Sequence, residues 1–337
     1  IGHLEGFRFV VDPLARAADR KLLLAAAERH LPGLLAQRAG ELARAAQADA
    51  GEGRAPLVLE AGRINWGGAP VARLVPGKAL LAPLIKLEPA LAKLPPMMRG
   101  SVEEALGGWL TRQLTTPLAP LRKLEQASRT AESGPALRAL LLQLIEAGGV
   151  MARADAGLEG LDGQQRDALR ALGVRVGTLD LFVPGALKPR PLALWAMLAD
   201  LRGLAHGAAP AAMPPVIEGR QIPLGYRRLG AQALRVDMAE KLLQAAHRAR
   251  LSARSKRYYL DPALARSMGL GTAGYAALLR LGGFRVSIGR PLAESVFGPP
   301  MPPLWDWRAP RPRPEAAPKR TGARCAGAFA GLAELLA

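Results

Sequence analysis

Apolar residues recur three and four positions apart through most of the chain, the period of helices that bury one face. Asp12-Pro13 is a helix start, with Asp as cap and Pro at the first helical position. Leu22, Leu23, Ala26 and Ala27 follow at helical spacing, Pro32 is expected to kink or restart the helix, and the pattern continues to about Ala50. Gly51-Glu52-Gly53 breaks it. Leu57-Val58-Leu59 reads as extended, and residues 63–75 read as a β-hairpin: Ile64-Asn65-Trp66, a Gly67-Gly68 turn, then Val71 to Val75. Prolines punctuate residues 76–96, which predicts irregular backbone or short helices.

Helical spacing returns from Ser101 to Thr116 through Val102, Ala105, Leu106, Trp109 and Leu110, and beyond Pro117 through Leu118, Leu121 and Leu124. A further helix from Pro135 carries Leu137, Leu140, Leu141, Leu144 and Ile145 and ends at Gly148-Gly149. Asp162 to Leu172 is a shorter helix. Val174 to Val176 and Leu179 to Val183 are extended, and Lys188 to Leu204 is helical through Leu192, Trp195, Met197, Leu198 and Leu201. Residues 206–224, rich in Gly, Ala and Pro, read as a linker. Beyond it, a helix from Leu234 to Arg250 shows a seam of Leu234, Met238, Leu242, Ala245 and Ala249, with Asp237 and Lys241 spaced to pair. Tyr258 to Leu260 is extended, Asp261-Pro262 opens a short helix to Ser267, Gly269 turns, and Thr272 caps a helix to Leu281. Phe284 to Val286 is extended again. Helix, strand, helix, glycine turn, helix, strand is the order of a helix-turn-helix or winged-helix module. Residues 291–337 read as a disordered Pro/Arg-rich tail, with 8 prolines between 299 and 318. Its last part holds a short amphipathic segment at Phe329, Leu332 and Leu336. The expected fold is mainly α with small β elements: a helical region over 1–205 with one β-hairpin, then a basic helix-turn-helix-like unit over 225–290.

Composition sharpens this picture. The 337 residues are 50% hydrophobic but only 4% aromatic, so Leu and Ala fill the cores, and roughly two domains are expected at about 150 residues each. The net charge is +18, which predicts attraction to a polyanion, nucleic acid or an anionic membrane. The charge is uneven: between Arg220 and Arg290 there are 14 Lys and Arg against 3 acids. No run approaches a membrane span. Helix 234–250 has too many alanines for a surface anchor, so membrane attachment is disfavoured. The single cysteine, Cys325, excludes an intrachain disulfide and a multi-Cys zinc site, which suits a reducing cytoplasm.

Enzyme motifs are missing. Pro76-Gly77-Lys78 lacks the earlier glycine and the following hydroxyl of a phosphate-binding P-loop: Ala72 and Ala79 stand there. His3, His30, His206 and His247 have no ligand spacing, and the consecutive Glu103 and Glu104 point to different helix faces. No catalytic or metal-binding residue is assigned. The constellation with functional content is Arg227, Arg228, Arg235, Arg248, Arg250, Arg254, Lys256 and Arg257, with Tyr258 and Tyr259 adjoining. Guanidinium groups bind phosphates and release counterions, and a tyrosine beside them stacks on a base. The candidate nucleic-acid-binding residues are Arg227, Arg228, Arg248, Arg250, Arg254, Lys256, Arg257 and Tyr258. In the helix from Thr272, Tyr275, Leu278 and Leu279 are expected inward. Ala273, Gly274, Ala276, Ala277 and Arg280 are expected outward, where they could position the chain on phosphates without reading bases.

Three stretches together resemble a known family. They are Ile64-Asn65-Trp66-Gly67-Gly68-Ala69-Pro70-Val71-Ala72-Arg73-Leu74, Leu141-x-x-Leu144-Ile145-Glu146-Ala147-Gly148-Gly149-Val150, and Leu169 to Gly177 followed by Leu181 to Pro189. Each is weak alone; in combination they resemble the region after the motor in alphaproteobacterial superfamily 2 helicases similar to the mitochondrial degradosome RNA helicase. The likeness covers most of the chain and fades after about Pro303. It implies an ATP- and magnesium-dependent motor of two RecA-like domains upstream of Ile1, with no motor residue or cofactor site in this chain. Its expected partners are an RNA or DNA backbone, the chain's own motor, and a nuclease. The rival expectation is a protein-docking scaffold, with Phe329, Leu332 and Leu336 as a tethered anchor.

Overall fold

A computed structural model describes residues 2–5, 7–11, 16–48, 57–130, 134–287 and 302–309. The expected helix start at Asp12-Pro13, the break at Gly51 to Gly53, Cys325, and the anchor residues Phe329, Leu332 and Leu336 lie outside them. The described chain is mainly helical with small antiparallel sheets. A two-stranded ribbon of β1 (Gly2–Glu5) and β2 (Arg8–Val11) precedes α1 (Ala17–Gln47). That helix runs through Pro32 without restarting; Pro32 is exposed, so the carbonyl left without a donor can turn to solvent.

The expected hairpin is the centre of a larger sheet. β3 (Leu57–Glu60), β4 (Arg63–Trp66), β5 (Ala69–Val75) and β6 (Leu84–Leu87) form a four-stranded meander in chain order. Gly67 and Gly68, with φ of 56° and 78°, make the two-residue turn between β4 and β5 that only residues tolerant of positive φ can make. Within the proline-punctuated stretch expected to be irregular, Leu84 to Leu87 pair with β5. Ile64 and Trp66 point into the core from β4, where Trp66 meets Phe7 and carries the Arg38 guanidinium 5.3 Å above its ring.

The helices that follow build one large apolar core. α2 (Pro96–Thr115) lies along α1 and buries Val102, Leu106, Trp109 and Leu114. α3 (Ala119–Ser128) packs on α4 (Gly134–Glu146), whose Leu137, Leu140, Leu141, Leu144 and Ile145 are all buried. β7 (Val150–Ala152), β8 (Arg175–Val176) and β9 (Asp180–Phe182) form a sheet in the order β7-β9-β8 around α5 (Gly163–Ala171), which a reciprocal Asp162/Gln165 capping box starts. α6 (Pro189–Leu201) closes this part; its Trp195 donates from Nε1 to the Ile145 carbonyl at 2.8 Å.

A second apolar core draws mostly on residues from Val216 to Trp307. β10 (Val216–Glu218), β11 (Tyr226–Leu229) and β12 (Gln232–Arg235) form a sheet in the order β10-β12-β11, so the stretch expected as a linker supplies an edge strand. α7 (Val236–Ser252) starts two residues later than expected, because Leu234 belongs to β12. Its buried face is Val236, Ala239, Leu242, Leu243 and Ala246, a rotation from the expected seam. There follow β13 (Tyr258–Tyr259), α8 (Ala263–Ser267), α9 (Thr272–Leu281), β14 (Phe284–Ser287) and β15 (Leu304–Trp307). β15, inside the expected tail, lies between the other two strands in the order β13-β15-β14 and buries Trp305. Trp305 and Trp307 explain why: two large rings find a core only if the chain returns to it. No helix of the described residues is long and apolar enough to cross a membrane.

Candidate nucleic-acid interface

The two cores meet at a small apolar contact of Phe182, Leu187 and Val236, reinforced by polar groups converging on the β8–β9 turn. Arg227 on β11 binds Asp180 through both Nε, at 2.9 Å to Oδ2, and Nη2. Glu240 on α7 accepts from the Thr178 amide at 2.6 Å, and Arg153 donates to the Gly177 carbonyl at 3.0 Å. Asp180 is only 8% exposed and the Arg227 side chain 24%. A carboxylate and a guanidinium taken this far from water each need the other to offset desolvation. Arg227, expected on nucleic acid, is therefore committed to the junction.

The neighbouring cations divide in the same way. Arg235 forms a bidentate pair with Asp237, Nε–Oδ1 at 2.6 Å and Nη2–Oδ2 at 3.0 Å, so Asp237 does not wait for Lys241. This bond holds the Arg235 pKa above its usual value. Arg228 is exposed and donates to the Arg220 carbonyl. The Arg250 guanidinium carbon lies over Trp307, 4.2 Å from the ring centroid, and its Nε is buried without a hydrogen-bond partner. Tyr258, expected to stack on a base, faces the second core opposite Trp305 and is 8% exposed. Burial pushes its phenol pKa up, with Asp306 adding to and Arg250 opposing the effect. The ring has no face left to offer a ligand. His247 packs between Phe284 and Trp307, and burial, helped by Arg250, pulls its pKa down against the opposing pull of Glu240.

Besides Arg228, whose guanidinium is held by the Arg220 carbonyl, four candidates remain exposed: Arg248 near the end of α7, and Arg254, Lys256 and Arg257 on the connection from α7 to β13. Among the described residues none of the four side chains has an ion pair or hydrogen bond. The three acids between Arg220 and Arg290 are all engaged elsewhere: Asp237 with Arg235, Glu240 with the Thr178 amide, and Asp261 with the Ala263 amide at 2.9 Å. The positive charge of these four is not taken up by an ion pair, and they lie within the ten residues before β13; Lys241, Arg266, Arg280 and Arg285 are likewise exposed without an ion pair among the described residues.

No family model, no curated protein and no solved structure matches this chain.

α9 largely meets the expectation for a helix without base-reading groups. Tyr275, Leu278 and Leu279 are buried, while Thr272, Ala273, Arg280 and Leu281 are exposed. Gly274 differs: it faces inward, where an added Cβ would stand 2.7 Å from Leu270 and 3.1 Å from the Gln232 amide oxygen. Gln232 ties the α8–α9 turn to β12, accepting from the Gly271 amide at 2.9 Å, and Gly271 rather than Thr272 is the cap residue. Sequence reasoning placed both tyrosines beside the cations and chose Tyr258; the exposed one is Tyr259, at 48%. The signal was present: Tyr258 and Leu260 are two apart, and in an extended segment both face the core if either does, leaving Tyr259 outward. No three His, Cys, Asp or Glu side chains of the described residues are grouped to hold a metal ion.

Proposed function

We propose that the second unit is a winged helix-turn-helix module that grips a nucleic-acid backbone, as part of an accessory region following a superfamily 2 helicase motor. The order helix, strand, helix, helix, strand, strand, with the last strand central in its sheet, supports the module. The observation that carries the reading is the set of four exposed cations, Arg248, Arg254, Lys256 and Arg257, left without any carboxylate partner among the described residues. Such groups bind phosphates and gain from counterion release, and α9 exposes only Thr272 and Arg280 among side chains able to read a base. RNA rather than DNA, the ATP- and magnesium-dependent motor and a nuclease partner rest on the family resemblance. The role is to raise affinity and processivity while hydrolysis happens in the motor.

Fluorescence anisotropy of the chain with a labelled single-stranded RNA at several salt concentrations tests this. Four neutralised phosphates predict a slope of log affinity against log salt of about −3 for a single strand. Replacing all four cations by Ala should flatten that slope and abolish most of the binding. Absence of binding by the unaltered chain at low salt overturns the reading and leaves the docking scaffold. That second reading has its own support in a groove of about 450 Å³ beside α6, lined mainly by apolar side chains including Leu57, Val58, Trp109, Leu194 and Met197.

A further inference from the structure

We infer that Tyr259 is a stacking platform for one nucleobase, so that the module takes single-stranded nucleic acid in preference to a duplex. The inference rests on the backbone-gripping reading and names its substrate class. β13 is an edge strand: β15 pairs with one side of it, and no described strand pairs with the other. Its two residues point to opposite faces. Tyr258 is buried in the core against Trp305, and the Tyr259 ring, at 48% exposure, stands on backbone paired to β15. A rigid aromatic on a fixed strand loses little freedom when a base lands on it.

The surroundings complete the argument. Arg257 lies two residues before Tyr259, in the bend that leads into β13, and both are exposed. Two residues of chain span at most about 7 Å, comparable to the distance from a base to its own phosphate, so one nucleotide can lay its base on Tyr259 while its phosphate meets Arg257. Lys256 and Arg254 continue the positive charge along the connection. A base inside a duplex has both π faces covered by its neighbours and cannot use this platform; an unstacked base can. α9 offers a duplex groove only Thr272, alanines, Arg280 and Leu281, too little for readout there.

The test compares the chain with Tyr259→Ala and Tyr259→Phe on labelled oligo(U), oligo(dT) and a blunt RNA duplex of equal length, at one low salt concentration. The expected result is a loss of about 5- to 150-fold on oligo(U) with Tyr259→Ala, the range for one stacked base. Tyr259→Phe should stay within about 2-fold, since the ring is what binds. Duplex affinity should be unchanged by either variant. Unequal losses on oligo(U) and oligo(dT) tell which strand the platform prefers, through the sugar and the thymine methyl together, and a loss on either supports stacking. If Tyr259→Ala binds both single strands as tightly as the unaltered chain, or loses equally on the duplex, the stacking role falls while the backbone grip stands. If the unaltered chain binds none of the three, both fall together. Tyr259 is half exposed, so unchanged thermal unfolding of the Ala variant separates a lost platform from a lost fold.

Discussion

Two sets of arginines in the second unit carry the same formal charge and do different work. Arg227 and Arg235, together at the open end of the β11–β12 hairpin, are each closed onto a carboxylate, Asp180 and Asp237. Arg254 and Arg257, with Lys256 between them, stand exposed with no acid in reach among the described residues. A count of charges along the chain treats the two sets alike. What separates them is the position of the acids: one carboxylate from β9 and one at the start of α7 take up the hairpin arginines, and among the described residues no carboxylate after α7 forms an ion pair with the others. Net charge thus predicts attraction to a polyanion, and the placement of carboxylates separates the cations that are already engaged from those that are not.

The comparison breaks most sharply at the junction. Asp180→Ala leaves Arg227 charged and poorly solvated, and should cost about 3 kcal/mol in urea-induced unfolding. Replacing both partners by apolar residues, Asp180→Leu with Arg227→Met, should recover much of that loss, because the buried charge goes with its partner. If Asp180→Ala changes stability by less than about 0.5 kcal/mol, the value typical of surface substitutions, the junction pair is not a structural tie and Arg227 returns to the binding set.

A second difference lies in the tyrosines. Tyr275 on α9 is buried, and that burial, with smaller help from Asp261 and Tyr259, pushes its pKa from 10.0 up to about 12. The unfolded chain releases this proton near pH 10, whereas the folded chain keeps it, so stability is full below pH 10 and drains as pH rises to about 12. At 1.36 kcal/mol per unit the total is roughly 2–3 kcal/mol. Tyr275→Phe should flatten the alkaline limb of a thermal-unfolding profile, while Tyr259→Phe should leave most of it in place. An alkaline limb unchanged by Tyr275→Phe would show that another group sets it.

These differences also mark what could be read in advance. Long helices with five or six apolar positions in register, such as α4, were legible because period 3.6 repeated over several turns averages out single exceptions. The Gly67-Gly68 turn was legible because few residues tolerate positive φ. β11, β12 and α7 were misjudged together: Leu234 fits a helical seam and a strand equally well, and choosing the helix rotated the whole face. β15 was hidden by the prolines around it, since its reason to exist is pairing with β13 and β14, which no local pattern reveals. In the candidate site, the cations were legible as residue types. Their division was not, because the partner of Arg227 lies 47 residues away. Of the tyrosine pair, an alternation of only three residues decided which ring faces out.

The smallest expected effect is the most telling about the exposed set. Arg254→Ala, Lys256→Ala and Arg257→Ala combined should change unfolding stability by no more than about 0.5 kcal/mol, because no described contact is lost. The sign should be slightly favourable at low ionic strength. Three like charges in four positions repel one another, and with a Debye length of about 10 Å at 0.1 M salt that repulsion is felt only when salt is low. Stability measured at 20 mM and 500 mM salt should therefore converge for the triple variant and diverge for the unaltered chain. Residues that a fold tolerates against their mutual repulsion, and that contribute no contact of their own, are the ones whose use lies outside the fold. A triple variant that unfolds several kcal/mol sooner would instead place these cations in the structure, beside Arg227 and Arg235, and remove the exposed set from the comparison.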